Sequence, residues 1–352
     1  MVVTAHGGLL DDELGRLGLA PRDVIDFSVN VNPYGPHDAI VRAIRAADLV
    51  RYPDPTGRAA RAAIAAHLGR DAAEIALGHG AVELLGSLAR LLVPPGAACA
   101  VVGPTFSEMA QGVRASGGRV VEWRASADDG FAVHVEAIDG LLDEHTPAAL
   151  YLCNPNNPTG RALPAAAVHA LAARHPRTVV VLDQAFLSLS EAHAEDAHVY
   201  PPNVVCVRSL TKDHALAGLR VGYLVADAAR VARLEASRPP WSASGPAQAA
   251  AVATLAHDGF VATSRARMLA DRDHLIAQLS TRGLHAAPSI APYVLVGIPS
   301  EATPLRARLL ERHAILVRDG SSFGLPRHVR LAARPAADVA RLLAALASEL
   351  PT

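Results

Sequence analysis

Through the middle of the chain, short uninterrupted apolar runs alternate with longer segments of helical spacing. The runs ACAVVG (near 99–103), GRVVEW (118–123), PAALYLC (147–153), TVVVLD (178–183), NVVCVR (203–208) and RVGYLV (220–225) have the length of strands. Between and beside them, residues 80–93, 106–117, 134–144 and 164–174 have the spacing and Ala/Leu content of helices. Runs that are apolar at every position imply a sheet covered on both faces, hence a largely parallel α/β sheet with crossover helices. The last two runs lie too close together for a full crossover helix, so one of them is expected to pair antiparallel.

The two ends of the chain read differently. Residues 1–45 contain DFSVNVNPYGPHD, whose Pro, Gly and Asn content predicts irregular structure. Beyond about 245 the pattern predicts a helical stretch (245–282), the strand IAPYVLVGI, a helix over 303–313, the strands ILVRD and VRLAA, and a final helix from 336. The expected organisation is an N-terminal segment (1–45) packing with the small domain, a large domain over 46–250 and a small C-terminal α+β domain over 251–352.

Composition narrows the class. In 352 residues, 51% are hydrophobic and 19% are charged, which excludes a disordered chain. The 33 basic and 34 acidic residues nearly cancel, so no overall field draws the protein to nucleic acid or to anionic lipid. No run of about 18 apolar residues occurs, and the first residues lack the pattern of a signal peptide. The expectation is a cytoplasmic protein with small-molecule partners and no metal. Cys99, Cys153 and Cys206 stand in apolar runs without CxxC spacing and read as reduced core residues.

The single lysine changes the picture more. Every basic residue except Lys212 is arginine, which reads as a bias that replaced lysine wherever a solvated positive charge sufficed. A guanidinium stays protonated and cannot serve as an amine nucleophile, so the surviving lysine is a candidate for covalent catalysis. By composition alone, chance survival explains Lys212 equally well.

In open parallel sheets ligands sit at the carboxyl ends of the strands. There the chain places NPNNPTG after LYLC, Asp183-Gln184-Ala185-Phe186 after VVVL, and RSLTKDHALAGLR after VVCV. Asp183 suits a carboxylate paired with a protonated heterocycle nitrogen, although by residue type it also suits a helix cap. The turn Gly78-His79-Gly80-Ala81 precedes a helical segment, whose first N–H groups can bind phosphate, with Ser209, Thr211 and Arg220 as further donors.

NPNNPTG, the strand-ending Asp183 and SLTK with Arg220 eight residues after the lysine resemble the fold-type-I pyridoxal-phosphate (PLP) enzymes of aminotransferase class I/II, over essentially the whole chain. Within them the likeness is to the histidinol-phosphate aminotransferase group, and especially to the L-threonine-O-3-phosphate decarboxylases of cobalamin biosynthesis. His6-Gly7-Gly8, DFSVNVNPYGP, Tyr52-Pro53-Asp54-Pro55, PTFSE (104–108), RSLTK, PPWS (239–242) and LVRDGSSFGL (316–325) carry it. The resemblance implies an α/β fold with a mostly parallel seven-stranded sheet, PLP as cofactor, a small phosphorylated amino-acid substrate and a homodimer. It implies that Lys212 holds the cofactor covalently and moves the Cα proton, that Asp183 holds the ring nitrogen, and that Asn157 bonds the ring's O3′. Phe106 would stack on the ring. Gly80, Ala81, Val82, Ser209, Thr211 and Arg220 would hold the cofactor phosphate, joined by Tyr52 of the second subunit. Arg330 would take the substrate carboxylate, Arg318 a second acidic group, and His6 and Asn32 the phosphate end. The activity implied is decarboxylation of threonine phosphate to (R)-1-aminopropan-2-yl phosphate, with histidinol-phosphate transamination as the alternative. Phe186 in place of tyrosine, Gln184 in place of an acidic residue, His79 in place of asparagine and Pro292 depart from the family pattern. A non-catalytic reuse of the fold in a transcription factor finds no DNA-binding extension here. A dead scaffold is opposed by the intact Lys212, Asp183, Asn157 and Arg330.

Overall fold

The computed structural model describes residues 6–195 and 200–350, so residues 1–5 and 351–352 of the expected terminal segments lie outside it. Seven strands form the main sheet: β1 (Ile75–His79), β2 (Ala98–Gly103), β3 (Arg119–Arg124), β4 (Ala149–Cys153), β5 (Val179–Asp183), β6 (Val204–Ser209) and β7 (Val221–Val225). Their spatial order is β1-β7-β6-β5-β4-β2-β3. Pairing is parallel from β3 through β6, and β7 runs antiparallel to both β6 and β1. Six of the seven strands coincide with the predicted apolar runs. The exception is β1, whose IALGH carries a glycine and a histidine and reads in sequence as the turn before a helix.

Both faces are covered, which is why the strands are apolar throughout. On one face Leu77, Leu152, Leu182 and Cys206 pack against Ile64, Ile138, Leu171 and Ala247 of four helices. On the other, Val101, Tyr151, Val181 and Val207 meet Leu84 and Leu88 of α1 (Gly80–Leu92) and Met109 and Val113 of α2 (Glu108–Ala115). Burial of a leucine or valine in such a layer is worth about 1.5–3 kcal/mol. All three cysteines are buried in these two layers, and none is in a disulfide.

A second, three-stranded antiparallel sheet is built from β8 (Tyr293–Gly297), β9 (Arg318–Asp319) and β10 (His328–Ala332), with β10 central. Its core of Val294, Val296, Val329 and Leu331 packs on helices Ala302–His313 and Ala336–Glu349. One expectation is corrected here and two gain detail. The stretch 245–282 is two helices, Gly245–Thr254 and Asp258–Ser280, because the chain turns at 255–257 to leave the main sheet for the small one. ILVRD is not one strand: Ile315–Leu316 pairs in parallel with Ile25–Asp26, and only Arg318–Asp319 joins the small sheet. DFSVNVNPYGPHD is irregular over 27–37 as expected, and helices Asp11–Leu17 and Asp38–Arg45 lie on either side of it. The second of these packs on helix Gly245–Thr254, so the N-terminal segment touches both units.

Candidate active site

The carboxyl ends of β4, β5 and β6, the start of α1 and the loop before α2 surround a cleft of about 460 Å³, closed on one side by β9, β10 and residues 6–7 and 28–30. Asp183 ends β5 at its floor. Its carboxylate accepts from Tyr151 Oη (2.9 Å) and from the Ala185 N–H (3.0 Å). Burial still pushes its pKa up, against those two donors and Lys212, so the carboxylate lacks a full cationic partner.

Lys212 sits on α3 (Leu210–Asp213), a single helical turn after β6, which puts its side chain in the cleft. Ser209 caps this turn, accepting from the Thr211 N–H (3.3 Å) and meeting the Thr211 hydroxyl at 2.6 Å. Burial first, then Arg330 and Arg220, lower the lysine's pKa to about 8, opposed by Asp183. Lys212 is thus poised to lose its proton near neutrality, as an amine nucleophile must.

At the start of α1 the chain approaches Arg220 closely. Gly80 has φ of +74°, and a Cβ there would lie 2.6 Å from Arg220 Nη2. Across the same junction a Cβ on Gly222 would lie 2.9 Å from Ala81 N. Only glycine leaves this helix N-terminus and guanidinium together. Ala81, Val82, Ser209, Thr211 and Arg220 all line the cleft beside it, an arrangement suited to a phosphate dianion. A protonated ring nitrogen at Asp183, a phosphate at α1 and an amine-reactive carbonyl at Lys212 match the three chemistries of PLP.

The opposite wall is cationic. Arg318 and Arg330 are cross-strand partners on β9 and β10. Arg330 Nη1 donates to Asn157 Oδ1 and Nη2 to the Ser28 carbonyl, while its buried Nε has no partner. Burial and the neighbouring Arg318 lower its pKa to about 9. Arg318 lies over the Phe323 ring at 4.9 Å, donates to Ser322 Oγ, and is lowered by burial to about 10. Two guanidiniums held this way favour an anionic ligand.

His6, Phe106 and Asn157 also line the cleft. NPNNPTG is tied to the loop before α2 by Thr105 Oγ1, which donates to Asn156 Oδ1 (2.7 Å). Two candidates lie elsewhere. Asn32 donates from Nδ2 to the Asp213 carbonyl (2.8 Å) and accepts from the Tyr34 N–H, so its amide braces the Lys212 turn. Tyr52 is 82% exposed and stacks on Trp241 at 4.8 Å, away from its own chain's cleft. Sequence reasoning passed over Asn30, which lines the cleft at 2% exposure with neither amide atom hydrogen-bonded. Glu108, 3.0 Å from His6, was also passed over. Among the described residues no cluster of three His, Cys, Asp or Glu side chains offers a metal site, and no helix is long and apolar enough to cross a membrane.

This donor set on a mostly parallel seven-stranded sheet defines a PLP enzyme of fold type I. A sequence model of aminotransferase class I and II matches residues 22–346. Histidinol-phosphate aminotransferase 1 of Thiobacillus denitrificans is 34% identical over 346 residues, covering 96% of this chain and 88% of that protein. Histidinol-phosphate aminotransferase of Sinorhizobium meliloti, crystallised with pyridoxal-5′-phosphate, superposes with a TM-score of 0.87 at 28% identity, covering 97% of this chain and 94% of the other. L-threonine-O-3-phosphate decarboxylase from Porphyromonas gingivalis superposes with a TM-score of 0.80 at 25% identity, covering 92% of this chain and 99% of the other. The chain belongs to the aminotransferase class I and II family, and it is a PLP-dependent enzyme.

Proposed function

We propose that the substrate is a small amino acid carrying both a carboxylate and a phosphate, and that the reaction is decarboxylation of L-threonine O-3-phosphate to (R)-1-aminopropan-2-yl phosphate. The observation that carries this reading is the wall opposite Lys212, where Arg330, Arg318, His6 and the unpartnered Asn30 face one cleft. A substrate with two anionic groups satisfies them together, each charge-assisted bond contributing about 1.5–3 kcal/mol. An unphosphorylated methyl end would leave the Asn30 amide N–H groups unpaired.

When bound, PLP supplies the electron sink for the carbanion left at Cα. Lys212 would hold the cofactor through its amine and would carry the proton that replaces carbon dioxide at Cα. Asp183 keeps the ring nitrogen protonated, and the pyridinium is the cation its buried carboxylate lacks. Asn157 bonds O3′ while it steadies Arg330. Phe106 covers the ring. The N–H groups of Ala81 and Val82, next to Gly80, hold the phosphate with Ser209, Thr211 and Arg220. Arg330 orients the carboxylate; Arg318, His6 and Asn30 take the substrate phosphate. Phe186, edge-on to Tyr293 at 5.0 Å, brings no hydroxyl toward the ring. Tyr52, with the exposed Leu49 and Val50, faces away from its own cleft, which supports a homodimer in which it completes the partner's phosphate site. We also read residues 46–250 as the cofactor-binding unit and 251–352 as the small one.

A second reading, histidinol-phosphate transamination, is favoured by the 34% identical relative that bears that name. Product analysis separates the two. Carbon dioxide and aminopropanol phosphate formed from O-phosphothreonine support decarboxylation. Consumption of a 2-oxo acid with histidinol phosphate, and no carbon dioxide, establishes transamination instead.

A further inference from the structure

One side-chain contact lining the cleft lies apart from the residues placed around the cofactor's ring nitrogen and phosphate. His6 Nε2 lies 3.0 Å from Glu108 Oε1, and the His6 ring stands 5.8 Å from the Phe106 ring. The N-terminal segment is built to deliver His6 there. The Gly8 N–H donates to Ser28 Oγ (2.8 Å), and a Cβ on Gly7 would lie 2.4 Å from the Ser28 carbonyl oxygen, so only glycine lets the chain pass this close. Glu108 is the first residue of α2, two positions beyond Phe106, and both its carboxylate and His6 line the cleft with Arg318 and Arg330.

A carboxylate at the anion-binding end of a substrate pocket is paradoxical unless it acts through its partner. With Nε2–H donating to Glu108, the imidazole is fixed in one orientation and presents Nδ1 from the opposite side of the ring. Nδ1 bonds a phosphate oxygen as a donor only when it also carries a proton. A phosphate monoester is mainly a dianion above neutrality and brings few protons of its own, so the proton for that contact comes from solvent. The charged groups around the pair are Glu108 from α2, Arg318 and Arg330 from the small sheet, Lys212, Asp183 and Arg220 from the cleft floor, and Asp26 on its own segment, which accepts from the Ser28 N–H.

We propose that Glu108 is a positioning residue for phosphate recognition: it orients His6 through Nε2–H and supplies the negative charge against which His6 takes up a proton when the substrate phosphate arrives. The inference rests on the reading that this cleft accepts a phosphate monoester.

The test uses the PLP-loaded enzyme and 3-phosphoglycerate, which carries a carboxylate and a phosphate but no amine. Calorimetric titration at pH 7.5 in two buffers of different ionisation enthalpy gives the number of protons taken up on binding. Wild type should take up a measurable fraction of a proton, and His6→Asn none. Glu108→Gln keeps an acceptor for Nε2–H and should lose most of the uptake with little loss of orientation. Glu108→Ala should lose the uptake and weaken binding about threefold to tenfold, and Glu108→Asp should restore part of both. Wild-type affinity and proton uptake in Glu108→Gln and Glu108→Ala would overturn the proposal. Glycerate binding as tightly as 3-phosphoglycerate overturns it too, through the separate failure of the phosphate reading.

Discussion

Asn30 pits stability against function in a way that can be measured. Its side chain is 2% exposed, and neither Nδ2 nor Oδ1 has a hydrogen-bond partner. A buried polar atom left unpaired costs about 1–3 kcal/mol. Asn30→Ala removes two such atoms beside an open cleft, where the loss of packing is small, so the substrate-free enzyme should gain about 1–3 kcal/mol. With an unfolding entropy of about 2.1 cal/mol/K per residue, that gain corresponds to a rise in Tm of roughly 1.5–4 °C. Urea unfolding at a fixed concentration of free PLP is the assay, because a ligand bound to the native state shifts apparent stability. The same substitution removes an amide donor to a phosphate worth about 1.5–3 kcal/mol, so kcat/KM on O-phosphothreonine should fall about 10- to 150-fold. A variant less stable than wild type with unchanged kcat/KM would show that the amide is already satisfied without substrate, and the argument would fail.

Three further outcomes follow from the site. Borohydride reduction should fix PLP to Lys212 alone, and its recapture by apoprotein should quicken as pH rises through about 8, where burial places the lysine's loss of its proton; a reducible adduct in Lys212→Arg would refute the assignment. Gly80→Ala should weaken PLP binding at least about tenfold, measured by cofactor fluorescence, because its Cβ meets Arg220 and the residue is held at positive φ; unchanged affinity would place the phosphate elsewhere. Tyr52→Phe should release PLP faster while leaving urea stability unchanged, the hydroxyl being worth about 0.5–3 kcal/mol to a phosphate; a cofactor-loaded monomer by sedimentation would contradict its role across a subunit boundary.

What could be read along the chain and what could not divide by the range of the interactions involved. β2 to β7 are legible because a strand buried on both faces must be apolar at each position, as VVVL and VVCV are. β1 escaped because its Gly78 and His79 serve the turn into α1 rather than the core. ILVRD reads as one strand, yet Ile315–Leu316 and Arg318–Asp319 join different partners, a choice made by residues 25–26 and 328–332 far away in sequence. The two asparagines of NVN are indistinguishable by type. Folding turns Asn32 onto the backbone around Lys212 and leaves Asn30 unpartnered in the cleft.

By itself the sequence pointed to the covalent chemistry, through one lysine in an SLTK motif among arginines that cannot replace it, and it nominated Asp183, Asn157, Ser209 and Thr211, in local motifs at strand ends, as the cofactor's polar anchors. The tertiary structure alone decided how the nominated guanidiniums are arranged in the cleft and which amides join them there. Arg318 and Arg330 become a pair only through the register of β9 on β10, and Glu108 meets His6 only because Gly7 and Gly8 let the first residues lie against Ser28. Local chemistry is carried by residue type and spacing, whereas a recognition wall is assembled from segments up to about three hundred residues apart, whose contacts are set by the packing of two sheets.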